Sequence, residues 1–487
     1  MFCRQVLAAC MGVVSLGCFA WADEPPKWFP PTPAVDTYIR QVCPGGYSIG
    51  FRLTLSNGYY PRPAPPRSTT PPQAQPPPSL EVAAVRPDLI RDTFGLAKFD
   101  VDVRPASSSA ARAIERGIRA YDRGAYQAAA DVFTEAIGLD FRDPDAYQDR
   151  AIAELALGGE GDRVIRDMNL AISLAPASAP RFLDRAEAWW LLHDPERALA
   201  DADTVVAMDP NWEVGYQYRA GFRLHKGDLG GALDDANRAV VLSNPSDPAP
   251  YQFRSAVWLL RRQFDLALID MERAVRLGPD VLEYRYHRGL LRALVGDLDG
   301  ALADLDKVIG RAPETPMALS SRSMLWAAQG AFEPALADAE AALRLDPEDP
   351  LAHLNRGVAL MCLGRHAEAR ASLESALRLA PDMPMAHNDL AMLLAACPEA
   401  SVRDGRKAFD SALRSLDGSG NASRSFSVVA LALAELGDTS EAARWEQAAL
   451  DAPDRPIADN PALARARLAL FRAGLPCRYD FTRSDSP

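Results

Sequence analysis

Charged side chains recur through the middle of this 487-residue chain at a step that sets base opposite acid. Arg116, Arg150, Arg185, Arg219, Arg254, Arg288, Arg322 and Arg356 follow one another at 34 or 35 residues. Asp167, Asp201, Asp235, Asp270, Asp304 and Asp338 keep the same step. A guanidinium and a carboxylate form forked, charge-assisted hydrogen bonds when brought together. A free row of arginines would instead hold an anionic ligand. Every Arg from Arg150 to Arg322 has its Asp in the same register, so pairing is the predicted use. Exposed pairs contribute roughly 0–1 kcal/mol each. Removing one partner of a buried pair costs about 3–5 kcal/mol.

Other reactive side chains are sparse. His353 and His387 occupy equivalent places, with Cys362 and Cys397 nearby in sequence. Zinc ligands come in short pairs such as C-x₂-C or H-x₃-H, and these four residues form none. The chain has no G-x-S-x-G, no H-E-x-x-H and no phosphate loop. No catalytic residue, cofactor or metal ligand is expected.

The elements that place these residues follow from the same period. Pro176, Pro210, Pro245, Pro279, Pro313, Pro347 and Pro381 stand 34 or 35 residues apart, as do Ala198, Ala232, Ala267, Ala301, Ala335 and Ala369. Between Asp346 and Leu379, apolar residues fall at helical spacing on either side of Gly364. That pattern predicts two amphipathic helices with a turn between them, ended by proline. Alanine at the crossing lets the two axes approach. Such a pair cannot bury its own apolar face, so neighbours must stack. With the Arg at position 7 and the Asp at position 23 of a unit turning near position 15, antiparallel helices bring the two together.

The repeating residues resemble the tetratricopeptide repeat family. Tyr216, Arg219, Ala220, Gly227, Asp228, Ala232, Ala236, Ala239 and Pro245 follow its pattern, as do Arg288, Gly289, Gly296, Asp297, Ala301 and Pro313. Eight such units fill 107–381, with one extra residue around Gly158 to Gly161. The resemblance implies an all-α fold, a right-handed α-solenoid superhelix of about ten helix–turn–helix repeats. It also implies a concave groove lined by first-helix residues, here including Gln148, Trp190, Gln217, Leu224, Gln252, Tyr286, Met324, Met361 and Asn388. Amides suit a peptide backbone, and aromatic or methionine side chains suit apolar ones. Members that grip chaperone C-termini use Asn at position 9. Here that position holds Ile118, Ile152, Glu187, Gly221, Ala256, Leu290, Met324, Val358 and Met392, which departs from that subclass.

Residues 382–458 resemble the degenerate repeat and further repeat that close many bacterial members, and 459–474 their capping helix. Asn460 serves as its N-cap, Pro461 lies in its first turn and Gly474 follows its end. Residues 475–487 form a tail. At the other end, Arg4, an apolar stretch from Val6 to Phe19 and Ala20-Trp21-Ala22 read as a signal peptide over 1–22. The stretch is shorter than the ~20 residues of a spanning helix, so no transmembrane span is expected in the mature chain. Cys18 after Ser15-Leu16-Gly17 raises the alternative of a lipid anchor. Residues 23–106 are low-complexity: Arg62 to Pro78 is proline-rich, and 47–60 alternates toward Asn57-Gly58, a hairpin signal.

Net charge is −12, and no basic stripe exists to displace counterions from phosphates, which argues against a nucleic-acid partner. The expected protein is an exported, non-catalytic scaffold of the periplasm or cell exterior that binds a protein or peptide partner. The alternatives are an envelope-assembly lipoprotein anchored at Cys18 and an enzyme or metal protein using scattered His and Cys.

Overall fold

A computed structural model describes residues 109–416, 422–452 and 461–482. The signal peptide, the hairpin at 47–60 and the proline-rich stretch lie outside the described residues. Helix is the only regular structure among those described, and they divide into two compact units, 109–263 and 264–482.

The first unit holds α1 (Ser109–Asp122), α2 (Tyr126–Leu139), α3 (Pro144–Ala156), α4 (Gly161–Leu174), α5 (Ala179–Leu191), α6 (Pro195–Met208), α7 (Glu213–His225), α8 (Leu229–Leu242) and α9 (Ala249–Leu260). The second holds α10 (Phe264–Leu277), α11 (Leu282–Leu294), α12 (Leu298–Arg311), α13 (Pro316–Ala328), α14 (Phe332–Leu345), α15 (Pro350–Cys362), α16 (His366–Leu379), α17 (Pro384–Ala396), α18 (Gly405–Leu416), α19 (Ala422–Glu435), α20 (Thr439–Asp451) and α21 (Pro461–Arg472). Within each unit, consecutive helices pack as pairs and each pair packs on the next. The fold is an all-α solenoid.

Local chemistry sets the ends. Asp143 accepts a 3.0 Å bond from the Asp145 amide, and Pro144 opens α3, where a missing N–H does no harm. Asp228 and Asp297 cap α8 and α12 in the same way, from the residue before the helix. The turn inside a pair passes through the left-handed region, held by Gly227 (φ 78°) and Gly296 (φ 88°) but by His193 (φ 62°) after α5. Side chains there are strained unless the residue is glycine.

Small residues at the crossing let paired helices touch. Ala198, Ala232, Ala301, Ala335 and Ala369 are fully buried. Across from Ala369, a Cβ on Gly357 would lie 2.8 Å from Leu373 Cγ, too close for any side chain. Apolar side chains fill the space between pairs: Ile114, Tyr121, Phe133 and Leu155 toward the start of the first unit, and Leu183, Val205 and Phe222 further along it. In the second unit one large cluster runs from α13 to α21.

Residues 475–482 of the tail are part of that core. Gly474 (φ 76°) turns the chain back after α21, and Cys477, Tyr479 and Phe481 are buried. The Tyr479 amide donates to the Ala396 carbonyl at 2.8 Å, and its hydroxyl accepts from Arg467 Nη1 at 2.7 Å. Arg467 also donates to Glu446 Oε1 at 2.8 Å, and Phe481 meets His366 edge-on at 5.7 Å. Arg478 and Arg403 share Glu435, at 2.6 and 3.0 Å.

Candidate protein-interaction wall

The arginine and aspartate series meet as the register requires. Arg150, Arg185, Arg219, Arg288 and Arg322 each fork onto Asp167, Asp201, Asp235, Asp304 and Asp338, with Nε–Oδ2 distances of 2.7–2.9 Å and Nη2–Oδ1 distances of 2.5–2.8 Å. All five aspartates are buried. The third nitrogen of several arginines reaches back to the preceding pair: Arg185 to Asn169 at 2.6 Å, Arg219 to Asp203 at 3.1 Å, Arg322 to Asp306 at 2.7 Å. These arginines are structural, joining three helices each. Arg116 forks instead onto exposed Glu135, and Arg356, whose unit has Ser372 in place of the Asp, donates to that hydroxyl at 2.9 Å.

The two histidines bond backbone carbonyls. His353 Nε2 lies 3.1 Å from the Pro347 carbonyl and His387 Nε2 2.7 Å from that of Pro381. Tyr216 donates to the Pro210 carbonyl at 3.1 Å, six residues back in the same way. Among the described residues no three of His, Cys, Asp and Glu come together as metal ligands.

First helices carry a second series of polar contacts, from one pair to the next. In the first unit, Arg181 on α5 donates to Asp145 on α3 at 2.5 Å and to the Gln148 amide oxygen. Gln148 in turn donates to Asp184 on α5, and the Tyr218 hydroxyl on α7 donates to Glu187. Trp190 lies against Phe222 at 5.2 Å and meets the His225 ring edge-on at 4.7 Å. Burial pushes the Asp184 carboxyl up to about 7 against the pull of Arg181, and lifts Glu187 well above the usual carboxylate range. In the second unit, Tyr286 and Ser321 share a 3.1 Å bond, and the Asn355 amide donates to the Ser320 carbonyl at 2.9 Å. Arg424 donates to Asp389 at 2.7 Å, while Asn388, with its amide oxygen turned toward Arg424, accepts from Nε at 2.6 Å. Burial raises Asp389 to about 6 despite Arg424.

The nine residues expected to line a groove therefore divide. Gln148, Trp190, Gln217 and Met324 remain partly exposed on first helices. Leu224, Gln252, Tyr286, Met361 and Asn388 are buried, Met361 completely. Leu224 and Met361 are core side chains here, because adjacent first helices pack closely enough to cover them. Asp184, Tyr218, Asn355 and Arg424 complete the polar series, and sequence reading did not find them. For Asp184, Asn355 and Arg424 the available signal was a polar residue one place further along the next first helix; Tyr218, three places earlier than Glu187 in its repeat, had no such signal.

Helix pairs repeated at 34 residues, closed by small residues at the crossing and left-handed turns, define an α-solenoid repeat protein. Residues 261–384 carry tetratricopeptide repeats: the tetratricopeptide repeat family model matches 261–316, 295–350 and 325–384. No curated protein matches the sequence. Solved structures similar to it include YrrB, described as a TPR protein with an unusual peptide-binding site, at 24% identity over 38% of this chain and 95% of that one (TM-score 0.33). A tetratricopeptide repeat protein from Parabacteroides merdae is 14% identical over 52% and 99% (TM-score 0.43). The Cut9–Hcn1 complex gives 15% over 60% and 57% (TM-score 0.43). The repeat fold is typically a non-catalytic scaffold, and this protein is a protein–protein interaction scaffold. No helix among the described residues is long and apolar enough to cross a membrane.

Proposed function

We propose that the scaffold captures an extended polypeptide segment along the first helices of the unit 109–263. The observation that carries this reading is the run from Gln148 to Trp190. Amide, carboxyl and indole groups stand there on successive helices, tied together before any ligand arrives. A wall ordered in advance loses less side-chain entropy on binding. Trp190, backed by Phe222, receives an apolar side chain, and Gln217 bonds the backbone. The test is selection of short peptides on the full chain from a displayed library. Affinity of the selected peptides should fall at least about tenfold in Trp190→Ala, the scale of losing one buried aromatic contact. Undiminished binding in both Trp190→Ala and Gln148→Ala would remove the wall from the reading.

The features of residues 1–22 support export to the bacterial envelope, with cleavage before Asp23. Mass spectrometry of the mature N-terminus tests this: a start at Asp23 supports a freely exported protein. A lipid on Cys18 would make it an anchored assembly factor.

A further inference from the structure

Asp184 and Glu187 lie one turn apart on α5, and their surroundings leave one acceptor unserved. Glu187 is 2% exposed, and with Oε1 bound to Tyr218 its Oε2 has no hydrogen-bond partner among the described residues. A buried acceptor left unmet costs about 1–3 kcal/mol. The terminal donors facing this pair are engaged elsewhere. Arg181, on the same helix, is engaged by Asp145 and Gln148, Gln148 of α3 is spent on Asp184, and Tyr218 of α7 is already on Oε1. A donor bearing positive charge would satisfy the oxygen and relieve the crowding of two acids. Trp190, one turn beyond Glu187, adds an aromatic face suited to a guanidinium.

We propose that this site takes an arginine from the chain's own segment 52–67, so the scaffold carries an intramolecular ligand for its own wall. The inference rests on the wall being a peptide-binding surface. Its argument is charge and reach. Residues 45–80 contain Arg52, Arg62 and Arg67 and not one Lys, Asp or Glu, within a chain of net charge −12. Between Arg67 and Ser109, where α1 begins, lie about 40 residues, and a linker of that length can reach up to on the order of 100 Å at ~3.1 Å per residue. Helices packed ~8–10 Å apart put α5 well within that reach of α1. Tethering also gives the segment an effective concentration on the order of millimolar, so a weak site is filled. A partner then binds by displacing it.

The experiment uses the full chain with a photo-crosslinking amino acid in place of Tyr60, which lies between Arg52 and Arg62. Cross-links should map to 179–225 and fall about tenfold in R52Q/R62Q/R67Q, the loss expected for charge-assisted bonds. Those substitutions lie outside the repeats, so the fold stands regardless; E187Q, checked by circular dichroism, should lower the yield too. Unchanged yield in R52Q/R62Q/R67Q overturns the proposal. So does cross-linking that proves intermolecular when labelled and unlabelled chains are mixed, since the segment would then dock on a second copy. Loss of selected-peptide binding in Trp190→Ala, with no cross-link to α5 or α7, keeps the wall and removes the internal ligand. Cross-links to α5 with peptide binding unaffected by Trp190→Ala would fault the wall reading instead.

Discussion

Arg322 grips Asp338 with two parallel bonds, Nε to Oδ2 at 2.7 Å and Nη2 to Oδ1 at 2.8 Å, while its third nitrogen holds Asp306 of the preceding pair at 2.7 Å. The two partners differ in burial: Asp338 is buried and Arg322 keeps partial access to water. Removing them should therefore have unequal effects. Arg322→Ala strands a buried carboxylate and should cost about 3 kcal/mol. Asp338→Ala leaves a guanidinium that retains Asp306 and water, and should cost roughly half as much. Urea unfolding of the two variants, followed by circular dichroism, gives the comparison. Equal losses would mean that packing of the side-chain stems, rather than the charge pair, holds this joint.

Asp184 predicts a pH dependence of definite sign. Its carboxyl moves from 3.8 in the free residue to about 7 in the folded chain because burial penalises the charge. Between those values the folded protein holds a proton that the unfolded chain releases, so this group's contribution to stability is lost as pH rises from about 4 to 7. Asp184→Asn removes the titration. The drop in stability between pH 5 and pH 8 should then shrink by on the order of 2 kcal/mol. Denaturation midpoints of both proteins at the two pH values measure it, and parallel curves would show that Asp184 is ionised throughout.

His193 is exposed and holds the left-handed turn that glycine holds after α7 and α11. His193→Gly should raise stability by roughly 0.5–1 kcal/mol by relieving the backbone, and Gly227→Ala should lower it by about 1 kcal/mol. Thermal melts of the pair check the opposite signs.

Tyr479 and Phe481 are seated in the core of the second unit. Phe481→Ala should cost about 3–5 kcal/mol through the cavity it leaves. Tyr479→Phe keeps the ring and drops the bond from Arg467, for about 1–2 kcal/mol. Hydrogen exchange should rise across α15–α21 in Phe481→Ala. Exchange confined to the tail would mean that the tail lies on the helices without supporting them.

The repeat was legible because its causes are local. Proline, alanine and turn residues act within one or two turns of the chain, so a fixed step in sequence becomes a fixed step in space. The joining of Arg150 to Asp167 followed from the same register. The wall was less legible. Whether Met361 faces solvent or core depends on how closely the next first helix packs, a distance that side chains from two pairs set jointly. Arg181 and Asp184 gave no periodic signal, since their neighbours one repeat on are different residues. Tyr479 was missed for another reason: its partners Ala396 and Arg467 lie on different helices of the closing pairs, beyond any local pattern.

That closing segment changes the order in which the chain must assemble. Contacts between neighbouring pairs span about one repeat, whereas the Tyr479 amide reaches back to Ala396 and the Phe481 ring to His366. Pairing of neighbours can spread quickly from any starting point, but closing so long a loop is slow and comes after the surfaces it bridges exist. The second unit should accordingly zip first and latch last, and Phe481→Ala should abolish a late refolding step while sparing the early one.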